Sequence, residues 1–251
     1  MSGQSKWSTI KRQKGANDAK KGQLFSKLAR AITLAAKTGG PSPEGNLRLR
    51  LLIWEARASN MPKENVERAI KHAAGADSDA LQEVLYEGYG PSGIAVLVEV
   101  TTDNKNRTAQ EIKNLFEKGG GSLGGPGSVS FQFDHKGLIT IEKAMPAGRQ
   151  GSPQETMLSL IDMGAQDLEE SSDAIEVYVA PNELSRMRER IEKGGIKVTS
   201  AELTYKPKNT VPLSDKNKAA KVLSFLDILD DHDDVQRVFA NFDIPDNLLP
   251  Q

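Results

Sequence analysis

The chain contains no cysteine, which excludes disulfides, thiolate nucleophiles and cysteine-ligated zinc. Aromatic residues make up only 5% of it, and no stretch approaches the roughly 20 apolar residues of a membrane span. The amino terminus is basic, yet no apolar run of about seven residues follows it, so no secretory leader is expected. The three histidines, His72, His135 and His232, fall in separate segments without ligand spacing, and no Ser, His and Asp constellation can be assembled. The expectation is a non-enzymatic protein of a reducing cytoplasm, with no catalytic residue, no cofactor, no metal and no membrane contact. Net charge is also nearly missing, at −1 over 251 residues.

That small total hides a division. Residues 1–75 carry fifteen Lys and Arg against five Asp and Glu, a formal +10, while the other 176 residues carry −11. A basic end seeks polyanions, because each neutralised phosphate releases condensed counterions. The cations begin in an unpatterned arm, Lys6-Trp7-Ser8-Thr9-Ile10-Lys11-Arg12-Gln13-Lys14, and continue at Lys20 and Lys21. In the following helical pattern, Ala19 to Ala36, the stripe Leu24, Leu28, Ile32 and Ala35 packs inward, with Lys27, Arg30 and Lys37 opposite it. Trp7 either stacks on a base or nestles onto the bundle.

Gly39-Gly40-Pro41-Ser42-Pro43 breaks this helix. A second helix, Leu47 to Ser59, puts Leu47, Leu51, Trp54 and Ala58 in one stripe. Arg48 lies near its start, with Arg50 and Arg57 near its border. A third starts at Asn60-Met61-Pro62, buries Val66, Ala69, Ile70 and Ala73, and ends at Gly75. Beyond the polar linker 76–80 and a loop at Tyr86 to Gly93, Ile94 to Thr101 reads as a buried strand and Thr108 to Lys118 as a helix. Val129 to Phe133 alternates like a half-buried strand.

Next come a strand at Gly137–Glu142 and a helix around Thr156–Met163. Strands near Asp167–Glu169 and Ala174–Val179 flank a turn at 171–173, and a helix at Glu183–Lys193 leads to a strand at Lys197–Leu203. This is the ferredoxin-like order βαββαβ. A helix at Lys216–Leu229 and a strand at Val235–Phe242 close the chain. If Ala201 to Tyr205 returned to the first sheet, that sheet too would be βαββαβ; the handover near 198–205 stays open. The fold expected is α+β with three domains, an N-terminal three-helix bundle and two ferredoxin-like α/β modules, one inserted in the other. Their bounds are 1–80 for the bundle, 81–134 plus 204–251 for the first module and 135–203 for the inserted one.

The glycine-rich loop Gly119 to Ser128 lacks the Gly-Lys-Ser/Thr ending of a P-loop and does not open a helix, which argues against nucleotide hydrolysis. It reads either as a helix stop with a mobile loop or as bare backbone for close approach to RNA. In the second case Tyr89, Gly90, Ser122 and Gly124 are its RNA-facing positions, because Tyr86 to Gly93 and Gly119 to Ser128 share one end of the sheet. Asn106 or Arg107, within Asp103 to Thr108, either touches phosphate or belongs to a helix cap. The acidic run Asp227, Asp230, Asp231, Asp233 and Asp234 lacks the Gly and closing Glu of an EF-hand and reads as a solvated or partner-facing patch.

The segments Met1-Ser2-Gly3, Ser5-Lys6-Trp7, Asn60 to Ile70, Tyr86 to Pro91, Asp103 to Thr108 and Asp234-Val235-Gln236 resemble the YebC/PmpR family. That family includes the mitochondrial translational activator of cytochrome oxidase. The resemblance runs nearly end to end and implies three domains in a cytoplasmic, non-enzymatic protein. It also implies either a transcriptional regulator that binds DNA or a factor acting in translation on the ribosome, including passage through proline-rich sequence. The chain departs from the family pattern at Gln4, where His is usual, at Leu47, where Pro is usual, and at 144–151, a local insertion.

The reading predicts a nucleic-acid partner, duplex DNA or ribosomal RNA and tRNA, bound by a monomer. The binding positions are Lys6, Trp7, Lys11, Arg12, Lys14, Lys20, Lys21, Lys27, Arg30, Arg48, Arg50 and Arg57. A protein-only adaptor is the contrasting class, and it would not need the cationic arm.

Overall fold

The computed structural model describes residues 18–75, 80–143, 153–170, 174–245 and 248. The arm, the insertion at 144–151 and the turn at 171–173 lie outside the described residues. The chain divides into two compact units, one of residues 134–206 and one formed by the segments on either side.

The larger unit begins with three helices, α1 (Asp18–Gly39), α2 (Leu47–Ala58) and α3 (Lys63–His72). Leu28, Ile32, Ala35 and Ala36 of α1 bury against Leu49 and Ala56 of α2 and Met61, Val66 and Ala69. Asn46 fixes the corner between the first two helices. Its side chain accepts from Leu49 N at 3.0 Å, capping α2, and donates to the carbonyls of Ala35 at 2.7 Å and Gly40 at 2.8 Å. Such a cap stabilises by about 1 kcal/mol. Two details differ from the expected stripes: Leu24 is exposed, and α2 buries Leu49, Leu51 and Ala56 rather than Leu47, Trp54 and Ala58. The run from Leu47 to Trp54 is apolar at nearly every position except its two arginines, so periodicity does not single out one face.

A four-stranded sheet follows in the order β3-β1-β2-β9, made of β1 (Gln82–Tyr89), β2 (Ala95–Thr102), β3 (Ser122–Leu123) and β9 (Val235–Ala240). Helices α4 (Lys105–Lys118) and α7 (Lys216–Asp230) supply Ile112, Phe116, Phe225, Leu226 and Leu229 to its core. Helix α1 also contacts β2 and β9. The central strand β2 is nearly continuously buried, which explains an apolar run broken only by Glu99 before its threonines.

Strand β1 corrects the sequence reading, which placed part of it in a loop. Its charged residues Glu83 and Glu87 and its glycine hide the strand pattern, yet it pairs with β2 along its whole length, from Gln82 opposite Thr102 to Tyr89 opposite Ala95. The sheet is four-stranded and antiparallel, but its elements follow as ββαβ and then αβ, because the strand between β3 and β2 comes from ahead of the expected module rather than from 201–205. Residues 130–132 are a 3-10 turn and not part of a strand.

In the smaller unit, β4 (Phe133–Glu142), α5 (Pro153–Asp162), β5 (Asp167–Glu170), β6 (Ala174–Val179), α6 (Leu184–Lys193) and β7 (Val198–Pro207) follow in βαββαβ order. The sheet order is β5-β6-β4-β7, so the whole of β7 belongs here and the handover at 198–205 is settled in favour of this sheet. Lys206 sits 3.9 Å over the Tyr178 ring and reaches Glu169 at 2.9 Å, with Asp167 as a second partner at 2.5 Å. Past β7, the short strand β8 (Val211–Pro212) pairs in parallel with β10 (Phe242–Asp243).

Candidate nucleic-acid interface

The predicted binding positions divide into three groups. Lys6, Trp7, Lys11, Arg12 and Lys14 lie outside the described residues. Lys20, Lys21 and Arg57 are exposed. Arg48, Arg50, Lys27 and Arg30 are less exposed, and each has a protein acceptor. Arg48 forms a two-point ion pair with Glu83, one contact at 2.7 Å, and the Glu83 bond raises its pKa. Arg50 donates to the carbonyls of Pro43 at 3.0 Å and Glu44 at 2.9 Å, which ties down the turn before α2.

Lys27 and Arg30 meet the acidic turn after α7. Gln23, Lys27 and Arg30 recur at i, i+4 and i+7, so one face of α1 presents all three. Gln23 Nε2 donates to the Asp231 carbonyl at 2.6 Å, buried Lys27 donates to the Asp230 carbonyl, and Arg30 reaches the Asp233 carbonyl at 2.8 Å and Asp234 Oδ1 at 2.7 Å. Helical spacing puts this face opposite the bundle core, as the structure does. Spacing cannot distinguish solvent from a second domain, and the acidic patch is an intramolecular partner.

Asp234 is the centre of that contact. Burial alone pushes its pKa up, but hydrogen bonds from Thr108 at 2.7 Å and Arg107 at 2.7 Å outweigh burial and hold it below the ordinary value. Arg107 is thereby engaged, and Asn104 caps α4 by accepting from Arg107 N at 3.1 Å. The cap reading of Asp103 to Thr108 therefore holds for Asn104 and the Arg107 amide. Asn106 is exposed.

Glu111, His232 and Asp234 bring three ligand-type atoms within 4.8 Å of one another. Their geometry suits a hydrogen-bond network better than a cation. His232 Nδ1 accepts from Asp234 N at 3.1 Å, leaving Nε2 to face Glu111 Oε2 at 3.0 Å, and two guanidinium groups already flank Asp234. Beside this network lies a cleft of about 1510 Å³, with Arg68, Lys71 and His72 on the α3 side and Asp103, Glu111 and Asp231 opposite. The sequence reading did not assign Arg68 or Lys71, although both are exposed and continue the helical segment's positive charge.

At the far end of the same sheet, Tyr89 pairs with Ser122 and Gly88 with Leu123. The two loops are neighbours, as the topology required. The glycine loop has a specific anchor that the sequence reading missed. The buried Glu87 carboxylate accepts from the amides of Gly127 at 2.8 Å, Val129 at 2.9 Å and Ser130 at 2.8 Å, while Gly124 N donates to the Glu87 carbonyl at 2.7 Å. Burial raises the Glu87 pKa, and the three amides together bring it below the ordinary carboxylate value. Glycine is sterically required at two of the sites: a Cβ on Gly119 would lie 2.1 Å from the Phe225 ring and one on Gly121 2.4 Å from the Tyr89 carbonyl. Tyr89 and Ser122 stay exposed, as does Gly124, whereas Gly90 is buried under Phe225.

Among the described residues no helix is long and apolar enough to cross a membrane. Residues 5–76 match the family described as TACO1/YebC protein N-terminal domain, and residues 81–242 match TACO1/YebC second and third domain. A relative from Dictyoglomus thermophilum, named "Probable transcriptional regulatory protein", is 50% identical over 250 residues, covering 99% of this chain and 98% of its own. One of the same name from Moorella thermoacetica is 45% identical over 253 residues, covering 100% and 99%. The crystal structure of a conserved hypothetical protein from Aquifex aeolicus superposes with a TM-score of 0.83 at 43% identity, over 93% of this chain and 95% of that one. With both domain descriptions matched in order along a chain built of a helical segment and two four-stranded sheets, this protein belongs to the TACO1/YebC family.

Proposed function

We propose that the protein is a non-enzymatic regulator of gene expression that binds nucleic acid, with duplex DNA as its first target. The observation that carries this reading is the charge division, +10 in residues 1–75 against −11 elsewhere. Lys20, Lys21 and Arg57 extend the cations of the arm onto the exposed surface of the helical segment, and Arg68 and Lys71 add to them. The name of the Dictyoglomus and Moorella relatives supports a regulatory role. In this reading residues 1–80 grip the phosphates of the duplex, while the modules 81–134 plus 204–251 and 135–203 stay off the duplex or meet protein. Lys27, Arg30, Arg48 and Arg50 shape and seat the helical segment rather than touch phosphate.

A second reading, a ribosome-associated translation factor that binds ribosomal RNA or tRNA and relieves stalls at proline-rich sequence, is favoured by a different feature. Residues 89–94 and 119–132 contain no acidic side chain, and Glu87 holds the second loop in one shape. Sedimentation with purified ribosomes through a sucrose cushion, at two salt concentrations and with excess duplex DNA, separates the two readings. Release by DNA together with tight binding of a specific duplex supports the transcriptional reading. Retention on ribosomes at physiological salt despite excess DNA supports the translational one.

A further inference from the structure

Phe131 is 64% exposed and Tyr89 39% exposed, at the glycine-loop end of the first sheet. Hydrogen bonds tie down the chain around both rings. The Tyr89 hydroxyl donates to the Ser128 carbonyl at 3.3 Å, Lys208 Nζ donates to the Phe131 carbonyl at 2.9 Å, and Lys208 N donates to the Gln132 carbonyl at 2.8 Å. Glu87 fixes Gly127, Val129 and Ser130 just ahead of Phe131. A phenyl ring kept in water on a rigid support is a surface ready for a flat apolar partner.

The chemistry around the rings indicates which partner. Exposed Lys118 ends α4 beside Gly119, whose backbone abuts the Phe225 ring. Exposed Lys218 and Lys221 lie about two turns and one turn before Phe225 on α7. A Cβ added to Gly93, Gly120, Gly125 or Gly127 would meet nothing within 4 Å, so bare backbone faces outward in these two loops. Ser92 holds a left-handed backbone at φ 63°, a conformation costly for a residue other than glycine.

We propose that this end of the sheet is a second nucleic-acid site, taking an unpaired RNA strand whose bases stack on Phe131 and Tyr89 while Lys208 and the neighbouring lysines meet its phosphates. The site rests on the nucleic-acid reading above, but it is independent of the basic arm. A duplex hides its base faces, whereas RNA loops and ends offer them to aromatic side chains.

The test is fluorescence anisotropy of a labelled oligo(U) decamer and of a labelled duplex DNA. Each is titrated with the full-length protein, with F131A, with F131W and with the arm variant K6A/K11A/R12A/K14A; unlabelled oligo(dT) serves as competitor. Loss of one stacked base should weaken oligo(U) binding by roughly 5- to 150-fold in F131A. The F131W protein should bind as wild type does, and duplex affinity should be unchanged in both. The arm variant should lose duplex affinity while F131A still distinguishes itself on oligo(U). Equal oligo(U) binding by F131A and wild type would overturn the site, as would duplex binding without any oligo(U) binding. Equal competition by oligo(dT) would overturn the choice of RNA. If wild type bound neither probe, the nucleic-acid reading itself would fall.

Discussion

The two ends of the first α/β module handle charge in opposite ways. At one end α1 brings Lys27 and Arg30 onto the turn at 230–234, and each cation is matched by a carbonyl or carboxylate. At the other end the loops carry no charge of their own, and a single buried carboxylate, Glu87, organises them from beneath. The first arrangement converts a basic helical face into a domain contact. The second leaves backbone and aromatic surface facing outward, and it needs only one acid to do so. A cation in a basic segment is therefore no guide to phosphate until its partners are known, and an uncharged loop is no sign of disorder.

The largest effect is expected where one group holds the most backbone. Replacing Glu87 with Ala strands three amides that bond a charged acceptor, which should cost about 3 kcal/mol of stability. Chemical denaturation would measure this, and hydrogen exchange should show the loss of protection concentrated in residues 121–130. A destabilisation below about 0.5 kcal/mol would mean that other interactions hold the loop.

At the opposite end, Asp234→Asn removes the charge that Arg30 and Arg107 share, for an expected destabilisation of about 2 kcal/mol. The same network should respond to acid. Asp234 has a folded-state pKa below its unfolded value, so the folded protein binds fewer protons. Its contribution is therefore fully present above the ordinary aspartate pKa of about 3.9 and is lost as pH falls through the lower folded value. Glu87 acts in the same sense. The acid unfolding limb of Asp234→Asn should be shallower than that of wild type, and an identical limb would remove Asp234 from this role.

The smallest effect on stability belongs to the outward cations. A variant with Lys20, Lys21 and Arg57 all changed to Ala should shift stability by no more than about 0.5 kcal/mol per site. Its nucleic-acid affinity should fall uniformly across sequences, with a flatter salt dependence. A loss of stability without a change in slope would place these three with Arg48 and Arg50 as packing residues.

Much of this architecture can be read from the residues. The buried run at 94–101, the βαββαβ spacing of 137–203 and the bundle stripe at Leu28, Ile32 and Ala35 all follow from periodicity, because each has a single apolar partner surface or two. Strand β1 is hidden because two of its glutamates interrupt the alternation, and one of them, Glu87, is buried for a reason that lies forty residues downstream. Local pattern cannot show that an acid will be satisfied by distant amides. The same limit applies to Lys27 and Arg30, whose acceptors are more than 200 positions away. The alternation of Val129 to Phe133 points to a strand, whereas a 3-10 turn at 130–132 leaves the Phe131 ring exposed.

The most direct measurement is the dissociation constant for duplex DNA as a function of salt, for wild type and for the variant with Lys6, Lys11, Arg12 and Lys14 changed to Ala. If the basic amino-terminal segment grips phosphate, the variant binds more weakly and its log–log slope falls by about one unit for each phosphate no longer neutralised. An unchanged slope with unchanged affinity would contradict the proposed function at its base and leave the charge division without a nucleic-acid role.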